Sequence, residues 1–176
     1  MFSDPEKNIQ QFGLGKGMYV ADFGACSGFY SFAAALAVGE KGRVYSIDVQ
    51  KDLLQKLKSE ARNIKHLMNL EVIWADLEHV GGTRLRADSM DAVIASNVFF
   101  QLEHKDNACG EIRRILKKSG RVLFVDWSVS LGKNGPDQAK IFTKNEAEQL
   151  FTKHGFVVDK EIIVGAQHYG IIFRKQ

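Results

Sequence analysis

Short apolar runs alternate with longer amphipathic stretches along most of this chain. Met18 to Asp22, Arg43 to Asp48, Leu70 to Ala75, Asp91 to Ser96 and Arg121 to Trp127 have the length and apolar character of strands. Helical patterns fall between them. Asp4-Pro5 opens a short first helix, with Asp as N-cap and Pro at the first helical position, and Gly13 to Gly17 ends it. Phe29 to Val38 reads as a helix beginning after Gly28, and Gly39 to Gly42 as a turn. Lys51 to Arg62 carries Leu53, Leu54 and Leu57 on one face and a basic surface on the other. Glu103 to Lys118 turns Ile112, Ile115 and Leu116 inward and is stopped by Ser119-Gly120. Thr143-Lys144-Asn145-Glu146 has the spacing of a capping box for a helix ending near His154-Gly155. Val80 to Arg86 is glycine-rich and shows no clear period. Phe156 to Val164 and His168 to Arg174 are two closing strands.

Strands that alternate with helices predict a parallel, doubly wound sheet covered on both faces. The last two strands are joined by Gly165 to Gln167, too short for a parallel crossover, so they form an antiparallel hairpin. The expected fold class is therefore α/β. It is a single Rossmann-like domain over residues 1–176, with a mostly parallel seven-stranded sheet ending in an antiparallel β-hairpin. Residues 1–17 supply the short N-terminal helix and residues 128–142 a candidate lid loop.

In such a sheet, ligands bind beyond the carboxyl ends of the strands. This chain places Asp22, Asp48 and Asp76 at or just beyond the first three of those ends and Ser96-Asn97 at the fourth. The stretch Tyr19 to Gly28 follows a D-x-G-x-x-x-G spacing, unlike the G-x-G-x-x-G of dinucleotide folds. Asp22 would repel a diphosphate and suits a ligand with a cationic amino group. Gly24 and Gly28, lacking Cβ, would let backbone approach that ligand. A carboxylate at Asp48 can accept both hydroxyls of a ribose. One at Asp76 can accept an exocyclic amine, and Val49 can pack on a base.

Composition narrows the setting. Hydrophobic residues make up 45% and charged residues 26% of the chain, as in ordinary globular proteins. The net charge of +3 is mild and dispersed, which favours a small-molecule partner over nucleic acid. No apolar run is long enough to span a membrane. The N-terminus has no apolar signal core, and two distant cysteines make no disulfide framework, so the expected compartment is the cytoplasm.

Together these motifs resemble class I S-adenosylmethionine-dependent methyltransferases, in the broad group that includes ubiquinone and menaquinone C-methyltransferases and arsenite methyltransferase. The resemblance rests on Val20 to Gly28, Val44 to Asp48, Ala75-Asp76, Met90 to Asn97, Ile115 to Trp127, His154 to Phe156 and the terminal hairpin. It implies S-adenosyl-L-methionine as cofactor. Asp22 would meet the methionine amino group, with Gly24, Ala25 and Gly28 lining it. Asp48 would bind the ribose and Val49 the adenine face. Asp76 and Leu77 would meet the adenine edge, and Ser96 and Asn97 would approach the sulfonium. Cys26 departs from the family, which often has glycine there, and reads as a small loop residue rather than a nucleophile.

Methyl transfer to an unidentified small-molecule acceptor is the expected function. The alternatives are a non-catalytic cofactor-binding module, a partner-supporting subunit, or an RNA or protein methyltransferase. No catalytic residue and no metal site follow from the cofactor motif. Ser96-Asn97-Val98-Phe99 is not the motif of exocyclic amino methylation, and two distant cysteines do not suit arsenic. Phe99, Phe100, His168 and Tyr169 are the substrate-binding candidates. Phe99 and Phe100 could equally pack on the sheet. The first helix and the loop from Ser128 to Lys140 are the only lid material expected.

Overall fold

The computed structural model describes residues 3–130 and 135–176. In chain order the elements are α1 (Pro5–Phe12), β1 (Tyr19–Phe23), α2 (Phe29–Val38), β2 (Arg43–Asp48), α3 (Lys51–Asn63), β3 (Leu70–Trp74) and β4 (Met90–Ser96). They continue with α4 (Lys105–Ile115), β5 (Leu116–Trp127), α5 (Lys144–Lys153), β6 (Phe156–Ile162) and β7 (His168–Lys175). The seven strands form one sheet in the order β3-β2-β1-β4-β5-β7-β6. The first five are parallel, and β7 runs antiparallel to both β5 and β6. The chain thus winds outward from β1 in one direction, returns, and winds outward in the other. The switch between β1 and β4 opens a crevice at their carboxyl ends.

Both faces of the sheet are covered, and the strands show how. Along β4, Ala92 and Ile94 join Phe12, Phe32, Ala34, Val38 and Leu57 on the face of α1, α2 and α3. Val93 and Ala95 join Cys109, Ile112, Phe151 and Phe156 on the face of α4 and α5. Successive strand residues point to opposite sides, so a strand buried on both sides must be a continuous apolar run. The second face is rich in aromatics. Phe99, Phe124, Phe142, Phe151 and Phe173 make a chain of stacked and edge-on ring contacts.

The local signals at helix starts are realised. Asp4 caps α1 by accepting the Lys7 N–H, and Thr143 and Glu146 complete the capping box of α5. One expected boundary moves. Helix α4 stops at Ile115, not Lys118, and Leu116 already belongs to β5. Leu116 is fully buried and pairs with Met90, while Lys117 meets Asp91 at 2.6 Å. Burying Leu116 against β4 outweighs one more helical turn. Part of the expected lid, residues 131–134, lies outside the described residues. Among the described residues, no helix is long and apolar enough to cross a membrane.

The irregular stretch after β3 is anchored from α4. Glu111 is buried and accepts from the Gly81 N–H, the Thr83 hydroxyl and the Arg114 guanidinium. Burial alone would raise the Glu111 carboxyl, but bonds from Arg114, Thr83 and Gly81 outweigh it and hold it below its ordinary range. Replacing Glu111 by Ala leaves the buried Thr83 hydroxyl and the part-buried Gly81 N–H and Arg114 guanidinium without that acceptor. We expect Glu111→Ala to lower stability by about 2–3 kcal/mol, read as an earlier urea midpoint. A change within about 0.5 kcal/mol, the range of a neutral surface substitution, would contradict this role.

Candidate active site

The site is built at the carboxyl ends of β1, β2 and β4. Asp22, near the end of β1, is 2% exposed. Its Oδ2 accepts from Ser31 Oγ at 2.6 Å, and Ser31 in turn accepts from Ser46 Oγ on β2 at 2.6 Å. Burial pushes the Asp22 carboxyl up to about 7; the Ser31 hydroxyl opposes this, and the nearby Asp48 charge adds to it. The result is a carboxylate held dry, titrating near neutrality, with no cation beside it among the described residues to account for its burial.

The turn from β1 to α2 is stitched to β2. The N–H groups of Gly24 and Ala25 both donate to the Ile47 carbonyl, at 2.9 and 3.0 Å. The Cys26 N–H donates to Asp48 Oδ2 at 3.0 Å, and the Gln50 N–H to Asp48 Oδ1 at 2.9 Å. These loop amides are therefore spent on protein partners. The glycines also serve the protein more than a ligand. A Cβ on Gly24 would lie 2.7 Å from Val98 Cγ2, and one on Gly28 would lie 2.8 Å from Leu57 Cγ. Both have positive φ, at 75° and 82°. Cys26 shares that left-handed region at φ 47°, where glycine is at ease and other residues are strained.

A cavity of about 790 Å³ opens over these strand ends. Asp22, Gly24, Ala25, Asp48, Val49, Asp76, Leu77, Ser96 and Asn97 all line it. Gly28 does not line it; it sits beneath the turn as the start of α2. Asn97 is left-handed at φ 53°, and its N–H donates to the Val125 carbonyl at 2.8 Å. Its Oδ1 and Ser96 Oγ are buried with no partner among the described residues. The wall thus offers carboxylates, unpaired polar atoms and apolar surface, and it suits a ligand that is cationic, hydroxylated and partly flat.

The substrate candidates separate. His168 lines the cavity, together with Phe100 and Trp127. Phe99 and Tyr169 do not, which corrects the expectation for both. Phe99 is fully buried and stacks on Phe142, with ring centroids 6.0 Å apart. Tyr169 turns inward, and its hydroxyl donates to the Phe142 carbonyl at 2.6 Å. The cause is Asp126. Buried at the end of β5, it accepts from the Phe100 N–H at 3.1 Å and fixes the 3-10 turn Phe99–Gln101. That turn sends Phe99 into the core and Phe100 to the cavity. Burial pushes Asp126 up to about 7, with the Trp127 and Phe100 N–H groups opposing. On the opposite rim, α1 closes over the site. Asn8 Nδ2 donates at 2.7 Å to both Ser3 Oγ and Tyr30 Oη, and Ser3, Pro5 and Tyr30 line the cavity. Ser31 and Ser46 carry no strand-end signature of their own, and Asp126 and Trp127, although they close β5, meet partners distant in sequence; the roles of all four follow from neighbours in space.

A methyltransferase-domain family model matches residues 14–169. The chain belongs to that family. It is 28% identical over 116 residues to the ubiquinone/menaquinone biosynthesis C-methyltransferase of Haemophilus ducreyi, covering 66% of this chain and 44% of that protein. The chain thus spans less than half the length of the curated relatives it matches. The SAM dependent methyltransferase of Aquifex aeolicus superposes with a TM-score of 0.87 at 28% identity, over 98% of this chain and 90% of that one. An arsenic(III) S-adenosylmethionine methyltransferase from Chlamydomonas reinhardtii superposes at 0.70 and 25% identity, over 90% of this chain and 63% of that one. Fold and family are those of class I S-adenosylmethionine-dependent methyltransferases, and S-adenosyl-L-methionine is the family's cofactor. The cavity's chemistry fits such a ligand.

The turn itself gives a prediction. Gly28→Ala forces a Cβ into Leu57 at a left-handed position and is expected to cost about 3 kcal/mol. Cys26→Gly relieves strain on an exposed residue and is expected to stabilise by at most about 1 kcal/mol. Urea denaturation of both variants measures this; equal effects of the two would contradict the geometry.

Proposed function

We propose that this chain transfers a methyl group from S-adenosyl-L-methionine to a small-molecule acceptor. What carries the reading is the set of three carboxylates, Asp22, Asp48 and Asp76, brought to one cavity by successive parallel strands. When bound, the cofactor supplies a methyl group activated by its sulfonium. In this reading Asp22 meets the methionine ammonium and Asp48 the ribose hydroxyls, its carboxylate already aimed by the Cys26 and Gln50 amides. Asp76 and the Leu77 backbone meet the adenine edge, and Val49 packs on the ring. Ser96 and Asn97 face the sulfonium side. Transfer is an in-line displacement, so positioning and exclusion of water are the protein's main contribution. The rim residues Ser3, Tyr30 and Phe100 exclude water from above.

A small acceptor fits the mild charge of +3 and the disposition of the basic helix α3. There Lys51 lies over the Trp74 ring, and just beyond the helix Lys65 lies over the Phe32 ring. A cytoplasmic setting suits the free thiols of Cys26 and Cys109.

Two measurements test this. Calorimetry should give micromolar or tighter binding of S-adenosyl-L-methionine, weakened at least about tenfold in Asp48→Ala, a loss of about 1.4 kcal/mol. Binding of a nicotinamide dinucleotide in its place would overturn the reading. Labelled cofactor and fractionated lysate then identify the acceptor. Label that survives nuclease and protease and enters organic solvent is expected. Label lost with nuclease or protease would move the reading to a polymer acceptor, and tight binding without any transfer would move it to a binding module.

A further inference from the structure

The acceptor side of the cavity holds two aromatic side chains whose polar atoms have no partner among the described residues. Trp127 and His168 face each other across the β5–β7 pair. Their rings lie 4.3 Å apart, tilted by 35°. Both line the cavity, and His168 is 8% exposed. Trp127 Nε1, His168 Nδ1 and His168 Nε2 are buried without a hydrogen-bond partner among the described residues. Buried polar groups in folded proteins are almost always paired, so three together need a reason. Here they border the cavity beside Ser96 and Asn97, whose side-chain oxygens are also unpaired.

The chemistry of the pair selects a group. Indole Nε1–H is a donor only, and a neutral imidazole offers one N–H and one bare lone pair. A hydroxyl answers both with a single oxygen: it accepts from the indole and donates to the imidazole. An ammonium would leave the indole N–H unmet, and a carboxylate, although it could accept from both rings, would bring a further negative charge into a cavity already lined by Asp22, Asp48 and Asp76. Elsewhere the cavity wall carries Phe29, Tyr30, Phe100 and Leu102, which suits a flat ring. Burial holds His168 below its ordinary range, so the ring is neutral at pH 7. Across β5, Asp126 is the titratable neighbour of Trp127, and its oxygens are engaged by the Phe100 and Trp127 amides. A neutral imidazole is a base too weak for an aliphatic alcohol but within reach of a phenol or enol, whose acidity is near that of tyrosine, about 10.

We propose that Trp127 and His168 form the subsite for the acceptor's hydroxyl, Trp127 holding its oxygen and His168 taking its proton, and that the acceptor is a flat apolar molecule bearing a phenolic or enolic hydroxyl. This rests on the methyltransferase reading above. As the O–H bond breaks, the proton passes to the His168 lone pair and its bonding electrons stay on oxygen. That oxygen forms the new O–C bond as the C–S bond breaks with its pair remaining on sulfur. His168 then releases the proton to solvent. His168 is thereby a catalytic residue and Trp127 a binding one.

The test uses 4-nitrophenol as probe and S-adenosylhomocysteine to fill the cofactor site, at a pH where the free probe is mostly neutral. Wild-type protein should bind the probe with its absorption displaced toward the nitrophenolate band by the hydrogen bond to His168. His168→Phe, which cannot accept the hydroxyl proton, should bind the probe without that displacement. Trp127→Phe should bind it about tenfold more weakly. All three should bind S-adenosylhomocysteine within about twofold of one another, which also shows that each variant is folded. Persistence of the displacement in His168→Phe, its absence in the wild type, unchanged probe affinity in Trp127→Phe, or failure of the loaded wild type to bind the probe would overturn the proposal. Failure of the wild type to bind S-adenosylhomocysteine would instead overturn the methyltransferase reading.

Discussion

A buried carboxylate without a counter-cation among the described residues is the constraint on which this structure turns. Asp22 is 2% exposed and keeps one strong partner, the Ser31 hydroxyl, itself supported by Ser46. Removing a charge from water is costly unless something compensates it. Burial therefore raises this carboxyl to about 7. Free in the unfolded chain, an aspartate titrates near 3.9. The folded protein thus binds the extra proton between those values, and the stability tied to it is full below about 4 and lost as pH rises through about 7. A cation arriving at the cavity reverses that balance. The same strand ends that bury Asp22 also aim Asp48, through the Cys26 and Gln50 amides, so one local fold sets both groups.

Much of this was legible in the sequence because it lies along the chain. Continuous apolar strands announced a sheet covered on both faces, and the three-residue link after Val164 announced the antiparallel hairpin. Asp22, Asp48, Asp76, Ser96 and Asn97 are strand-end residues, and parallel strands bring their ends together. What the chain order hides is contact at right angles to it. Helix α4 gives way to β5 at Leu116 because that side chain is buried against Met90, a contact 26 residues away. Phe99 and Phe100 are alike in sequence, and the Asp126 carboxylate decides which of them faces the cavity.

The glycines teach a related point. Gly24 and Gly28 read naturally as clearance for a ligand, yet Val98 and Leu57 occupy the space their Cβ atoms would need. The turn is shaped first by packing of the protein on itself, and the cavity is what that packing leaves open. Cys26 fits this view. It adopts the left-handed backbone that the turn demands, and it is exposed where the turn borders the cavity.

The most direct measurement is the titration of the Asp22 carboxyl by carbon-13 NMR, in the free protein and with S-adenosylhomocysteine bound. The account predicts a midpoint near 7 in the free protein, falling by about 1–3 units when the ligand's ammonium arrives. A midpoint near the ordinary aspartate value in the free protein, or one unmoved by the bound ligand, would contradict it.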